Sequence, residues 1–265
     1  MGQSLRLDAR EKRELDDIGF VLRRSVFDDR EVAAIRADCE ALVERLEAAQ
    51  RHSKQTAGSY TFEFQRELRT IVKWEPDALD LVQGVEPFAH LSDALRDWAL
   101  DPRLVEPSKD IVGQDEVAMF TEKLNLKRAH KGGPIVLHQD FPYWGDVAKV
   151  ASRVATAMIF VDDANRENGC LEAVPGSHRE GLQKRRAVEG FGSLELDPNA
   201  YDTSRLVALE VPAGSVVFFG PFLVHRSAPN RSDKDRRALL YSYQPAGNPH
   251  LGELMKLFPR TQQAT

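Results

Sequence analysis

Between residues 117 and 247 the chain offers seven short apolar runs: VAMFTEKLNLKRA, PIVLHQDF, RVATAMIFVDDA, LEAVPGS, LVALEVPAGSVVFFG, FLVHRSAP and RRALLYSYQPAG. Gly, Pro, Asn and Asp separate them. Seven candidate strands at turn-punctuated intervals confine this half of the chain to a sandwich, barrel or jelly roll. The first half reads differently. Residues 8–17 are charged, with Leu15 as the main apolar anchor, and predict a helix, while GFVLRRSVF at 19–27 predicts a strand. The stretch DDREVAAIRADCEALVERLEAAQ places Val32, Ile35, Leu42, Val43 and Leu46 at a helical period behind Asp28 or Asp29 as N-cap. QRHSKQTAG at 50–58 reads as a loop, SYTFEFQ as a strand burying Tyr60, Phe62 and Phe64, and HLSDALRDWALD as a further helix. A chain of 265 residues can close one large core. The expected organisation is therefore a single domain over 1–265, with largely helical support over 1–110 packed outside a β core over 111–250.

One of the seven runs carries unexpected polar residues. In VLHQDFPYW, His138 and Asp140 lie two apart, so on an extended chain they share a face while Gln139 points opposite. From seven His and twenty-one Asp in 265 residues, about 0.6 His-x-Asp pairs arise by chance, so a third group must decide. His225, after the apolar run SVVFFGPFLV, is that candidate; read alone it is equally a core histidine bonded to a carbonyl. His178 in PGSHREG reads as a turn residue, and His52, His90, His130 and His250 have no partner at ligand spacing. Two His and one carboxylate with open positions form the facial triad of non-haem Fe(II) oxygenases, although zinc accepts the same ligands. Such oxygenases need an organic acid as co-substrate, and a guanidinium suits its distal carboxylate. Arg236 and Arg237 open an apolar strand eleven and twelve residues past His225, and alternation sends one inward and the other to solvent.

Composition narrows the partners. Thirty-six basic against forty-one acidic residues, net charge -5, offers no electrostatic reason to expect nucleic acid or an anionic membrane, so a small-molecule substrate is expected. Cys39 and Cys170 sit in unlike contexts and indicate no disulfide framework. With no apolar leader at the N-terminus and no run of about 18 apolar residues, the expected location is cytoplasmic; the oligomeric state is unreadable.

Four pieces taken in order, LHQDFPYW, NGCLEAVPGSHREG, VPAGSVVFFGPFLVHRSAPN and RRALLYSYQP, resemble the phytanoyl-CoA dioxygenase family of Fe(II)/2-oxoglutarate-dependent oxygenases. The opening GFVLRRSVFDDREVAAIRADCEALVERL is similar to that family's first strand and helix, so the resemblance runs over most of the chain. It implies a mainly β fold with flanking helices, a double-stranded β-helix (jelly roll, cupin-like), with Fe(II) on His138, Asp140 and His225 and 2-oxoglutarate anchored by Arg236. It further implies Ser227 as a second partner of that carboxylate, Gln139 as a contributor to the 2-oxoglutarate pocket and Lys127 as another anionic contact. Where some members carry Trp after the triplet, this chain has Ala155 and Thr156. Halogenating relatives replace the carboxylate by Gly or Ala, so Asp140 favours hydroxylation. The implied reaction takes O2 and 2-oxoglutarate, releases succinate and CO2, and oxidises an unactivated C–H bond of an acyl chain, amino acid derivative or secondary metabolite. Phe141, Tyr143 and Trp144 are candidate walls of the substrate side, and Lys123, Arg128 and Arg153 candidate receivers of an anionic substrate. Two other readings stand beside this one: a cupin-like metal isomerase or hydrolase, which leaves Arg236 without a role, and a silent binding module.

Overall fold

A computed structural model of the chain describes residues 5–49, 54–57, 59–186, 195–197 and 201–257. Helix α1 (Ala9–Ile18) leads into strand β1 (Phe20–Arg23), and α2 (Asp29–Ala48) follows. Helix α2 begins where the sequence says it should. The Asp28 carboxylate accepts from Glu31 N at 2.9 Å while the Glu31 carboxylate accepts from Asp28 N at 2.9 Å, a reciprocal capping box. Its buried stripe is Val32, Ile35, Cys39, Leu42, Val43 and Leu46, the three-and-four spacing of one helical face.

Four strands then follow: β3 (Tyr60–Gln65) is the strand expected at SYTFEFQ, whereas β2 (Gln55–Ala57), β4 (Thr70–Glu75) and β5 (Ala78–Glu86) appear where helical support or loop was expected. Thus residues 1–110 contribute five strands to the main sheet, and part of the stretch read as loop is strand. In β3 the expected faces are also exchanged. Thr61, Glu63 and Gln65 are buried, while Phe64 is 44% exposed; Gln65 Nε2 donates to Leu46 O, so the polar face meets the end of α2. Helix α3 (Asp93–Trp98) is shorter than its sequence pattern, and α4 (Pro102–Val112) follows. That second helix was not among the expected elements, although it carries local signals: Asp101 caps it, Pro102 occupies the first turn and Gly113 ends it at φ +73°.

The remaining elements are β6 (Val117–Lys127), β7 (Ile135–His138), the single turn α5 (Phe141–Trp144), β8 (Ala155–Phe160), β9 (Leu171–Ala173), β10 (Val207–Ala208), β11 (Val216–Phe219), β12 (His225–Ser227), β13 (Arg236–Pro245) and α6 (Leu251–Leu254). The fifth run of the sequence is split, since 206–220 forms both β10 and β11. A nine-stranded sheet has the order β1-β11-β8-β13-β6-β5-β4-β3-β2, and a four-stranded sheet the order β10-β9-β12-β7. This is the two-sheet jelly roll that the sequence resemblance implied.

Alternation sorts the large sheet into two faces. On β13, Leu239, Tyr241 and Tyr243 join Ile35, Leu95 and Leu104 in the core beneath the helices, whereas Ala238 and Leu240 join Leu171 and Ala173 of the smaller sheet. On β11, Val216 and Phe218 turn to one side and Val217 and Phe219 to the other. All ten residues of β13 are buried, so its hydropathy shows no alternation to read.

Candidate active site

The three suspected ligands meet because two short strands pair in one particular register. In the antiparallel pair β12–β7, His225 stands directly opposite His138. Their imidazole centroids are 4.2 Å apart. Each ring is oriented by its own strand: His138 Nδ1–H donates to Val136 O at 2.7 Å, and His225 Nδ1–H to Leu223 O at 2.9 Å. A carbonyl can only accept, so both Nε2 atoms are left with a free lone pair. Strand β7 ends at His138, and Asp140 adopts helical backbone angles at the start of α5. Its Oδ1 comes to 3.7 Å from His138 Nε2. The ligating atoms of His138, Asp140 and His225 all lie within 4.8 Å of one another, and all three residues are buried. Burial, reinforced by His225, holds His138 well below the ordinary imidazole range and keeps it neutral. Two imidazoles presenting free Nε2 lone pairs and one carboxylate, converging in a buried cluster, suit a divalent first-row metal ion.

Beside this cluster lies a buried cation without an anion. Arg236 is 1% exposed. Its Nε and the Ser227 Oγ are buried without a hydrogen-bond partner among the described residues. Burial lowers the guanidinium to about 10, which still leaves it charged at neutral pH. A desolvated, unpaired guanidinium and an orphaned hydroxyl in one cavity ask for a carboxylate. Both line the cavity that His138, Asp140 and His225 also line. Arg237 takes the opposite face, as alternation requires, but it is not solvated. Its guanidinium reaches Asp162 at 2.7 Å and also pairs with Glu40 and Asp235.

Other candidates fall elsewhere. Gln139 is fully buried, and its side chain serves the fold: Nε2 donates to Gly181 O and Phe222 O, and Oε1 accepts from Gln183 N. It does not line the cavity; its amide is directed to the 181–183 turn and to residue 222 instead. Lys127 is also absent from the lining; its ammonium donates to Gly133 O. Tyr143 does line the cavity, edge-on to His138 at 5.6 Å. Trp144 packs against Phe120, and Phe141 stacks on Phe222, so neither ring belongs to the lining. The turn of α5 replaces the strand alternation that would have grouped Phe141 with Tyr143. Lys123 enters the cavity, whereas Arg128 pairs with Glu40 and Asp235 and Arg153 reaches Val112 O.

Three lining residues had no motif to announce them: Tyr60 on β3, Lys73 on β4 and Asn125 on β6. The one available hint was the period-2 pattern Lys123, Asn125, Lys127 on β6. The Asn-Gly-Cys and Pro-Gly-Ser-His motifs proved to be positioning devices. Ser177 Oγ accepts from Val224 N at 2.9 Å, next to His225, and Gly169 at φ +73° approaches Ala228 so closely that a Cβ would lie 2.1 Å from its carbonyl oxygen.

Comparison with known proteins agrees with this geometry. The family model described as phytanoyl-CoA dioxygenase matches residues 15–238. The L-proline trans-4-hydroxylase of Streptomyces griseoviridis is 33% identical over 168 residues, 56% of this chain; the match spans 61% of that relative, less than two thirds of its length. The ectoine dioxygenase of Bordetella bronchiseptica is 27% identical over 244 residues, 87% of this chain and 73% of that protein. In fold, the chain is similar to the crystal structure of EctD from S. alaskensis with 2-oxoglutarate and 5-hydroxyectoine. The TM-score is 0.71 at 20% identity, over 94% of this chain and 79% of that one.

Proposed function

Because this chain belongs to the phytanoyl-CoA dioxygenase family, we propose that it is an Fe(II)- and 2-oxoglutarate-dependent dioxygenase that hydroxylates, or otherwise oxidises, an unactivated C–H bond of a small molecule. The observation that carries this reading is the coexistence, in one cavity, of three converging ligand atoms and a buried guanidinium with no anion. His138, Asp140 and His225 would hold the iron. When bound, Fe(II) with 2-oxoglutarate and O2 supplies the oxidising power, the co-substrate leaving as succinate and CO2.

The protein's own residues orient and exclude. Val136 and Leu223 carbonyls fix the tautomers and ring planes of the two imidazoles, which is how neutral histidine is kept as a directional ligand. Arg236 and Ser227 would take the distal carboxylate of 2-oxoglutarate and so set its attitude to the metal. Phe219, edge-on to His225 at 5.2 Å, and Tyr143 keep water from the sides of the cluster. Both cysteines are buried free thiols, which supports work in a reducing compartment such as the cytosol. No described helix is long and apolar enough to cross a membrane.

The test is anaerobic titration with Fe(II) followed by 2-oxoglutarate, monitored through the visible charge-transfer band of the chelated keto acid. A band that appears in the wild type and is lost in Asp140→Ala supports the reading. Full retention of Fe(II) binding by the His138→Ala, His225→Ala double variant would remove its basis.

A further inference from the structure

The cavity has a second cationic region that the cofactors do not neutralise. Lys73 and Lys123 both line it, and the charge of Asp140 acts on both. The groups around Arg236 are different ones, Cys170, Asp162 and the repelling Lys127. Lys123 has a fixed counter-ion, Glu86 at 3.3 Å, which Thr121 Oγ1 also holds. Lys73 has none: its ammonium lies over the Tyr60 ring, 4.5 Å from the centroid, with no hydrogen bond or ion pair among the described residues. Burial and Lys123 push it down to about 8, so it is mostly charged at neutral pH.

A charge count decides what the cavity lacks. Its lining cations are Lys73, Lys123, Arg226 and Arg236. Against them stand Asp140 in the lining, Glu86 on Lys123, and Glu172, which meets Arg226 at 2.7 Å. Among these described residues one positive charge is in excess, and a divalent iron with a doubly negative keto acid would leave that excess unchanged. An enclosed ammonium without an anion is costly. The backbone also keeps room in front of it. Register aligns Lys73, Gly84 and Asn125 across β4, β5 and β6, and a Cβ at Gly84 would come 3.1 Å from Asn125 Oδ1. With glycine there, the path from Lys73 to Asn125 stays open.

We propose that Lys73 and Lys123, flanked by the adjoining hydroxyls of Tyr60 and Tyr143, form an anion subsite for the primary substrate. The substrate is accordingly a small molecule bearing an oxyanion group, a carboxylate or a phosphonate. This deepens the dioxygenase reading and rests on it. The experiment uses the full chain loaded anaerobically with Fe(II) and 2-oxoglutarate. It is challenged with small carboxylic acids, phosphonates and the neutral amide or ester of each, scored by perturbation of the charge-transfer band and by succinate release in air. Anions are expected to act and their neutral counterparts not, and the acid and phosphonate arms identify which oxyanion is preferred. Lys73→Met should raise KM for an active anion at least about tenfold, the loss of one charge-assisted bond, with a smaller change in kcat. Its 2-oxoglutarate affinity should stay within about twofold of wild type, and Lys73→Arg should recover part of the loss. Lys123→Met carries the same expectation if Lys73→Met does not fold. The proposal is overturned if neutral compounds act as well as anions, if no anion acts, or if Lys73→Met weakens 2-oxoglutarate as much as the anion. A wild type that forms no band overturns the dioxygenase reading itself, a result distinct from all of these.

Discussion

Arg236 is the residue whose environment is least tolerable without a ligand, and two predictions follow from it and its neighbour on β6. Truncation of a buried group that pairs with a carboxylate costs about 2–5 kcal/mol of binding. Arg236→Met should therefore weaken 2-oxoglutarate by roughly 30-fold or more while leaving Fe(II) affinity intact, as read by separate metal and co-substrate titrations. Lys127 stands opposite Arg236 in the β13–β6 register. Burial, then the repulsion of Arg236, lowers its ammonium from 10.5 to about 7. Between those two values the unfolded chain binds a proton that the folded chain has released, so this group's contribution to stability rises with pH from about 7 towards 10.5 and is flat outside that window. Urea denaturation at pH 7 and pH 9 should show a gain at the higher pH that Lys127→Met lacks. At this scale the sequence was informative about identity and poor about surroundings. His138, Asp140, His225 and Arg236 stand out because charged or ligating side chains in apolar strands are expensive. Gln139 and Lys127 were equally conspicuous, and only their hydrogen bonds reveal that one ties a turn and the other closes a loop.

At the scale of elements, the geometry of the site is the geometry of strand ends. Strand β7 delivers His138 and stops; α5 then turns Asp140 back towards the same point, held by Phe141 N donating to Pro221 O at 3.0 Å. Gln139 braces this junction against residues 181–183 and 222 through three part-buried hydrogen bonds. Gln139→Leu should leave those partners unsatisfied and cost about 1–3 kcal/mol of stability, measured by chemical denaturation. The 2-oxoglutarate affinity should change far less than in Arg236→Met, and a comparable loss would restore Gln139 to the pocket. Helix α2 was readable from its cap and periodicity because those patterns are local. Strand β3 was misread for the complementary reason. An alternating pattern reports two faces, but which of them is buried depends on what packs there, and on β3 the polar face, which meets the end of α2 at Gln65, is the buried one.

For the molecule as a whole, metal and co-substrate should act as part of the fold. The residues proposed to hold iron include one from each strand of the β12–β7 pair, and the proposed carboxylate anchor Arg236 stands on β13 of the other sheet, so occupancy would link the two sheets. Ligands that bind only the folded state at 100 times their Kd add about 2.7 kcal/mol each. For a chain of this size each kcal/mol raises Tm by about 2–4 °C. Fe(II) with 2-oxoglutarate under nitrogen should therefore raise Tm by about 5 °C or more, and a chelator should reverse the shift in a thermal melt. Helix α2 is tied into the same assembly by Glu40 and Arg36, which meet Arg237 and Asp162 beneath the sheet.

What the sequence alone determined was the set of chemical groups, helix α2 and the class of sheet fold. These depend on short-range spacing: caps, a period of two or of 3.6, and the presence of polar atoms in apolar runs. The tertiary structure decided which of those groups meet. The opposition of His225 to His138, the arrival of β2–β5 at the far edge of the large sheet, and the entry of Lys73 into the cavity depend on pairings between strands distant along the chain. Such registers are chosen by which faces can be buried together, a property of the assembled sheets that no local pattern encodes.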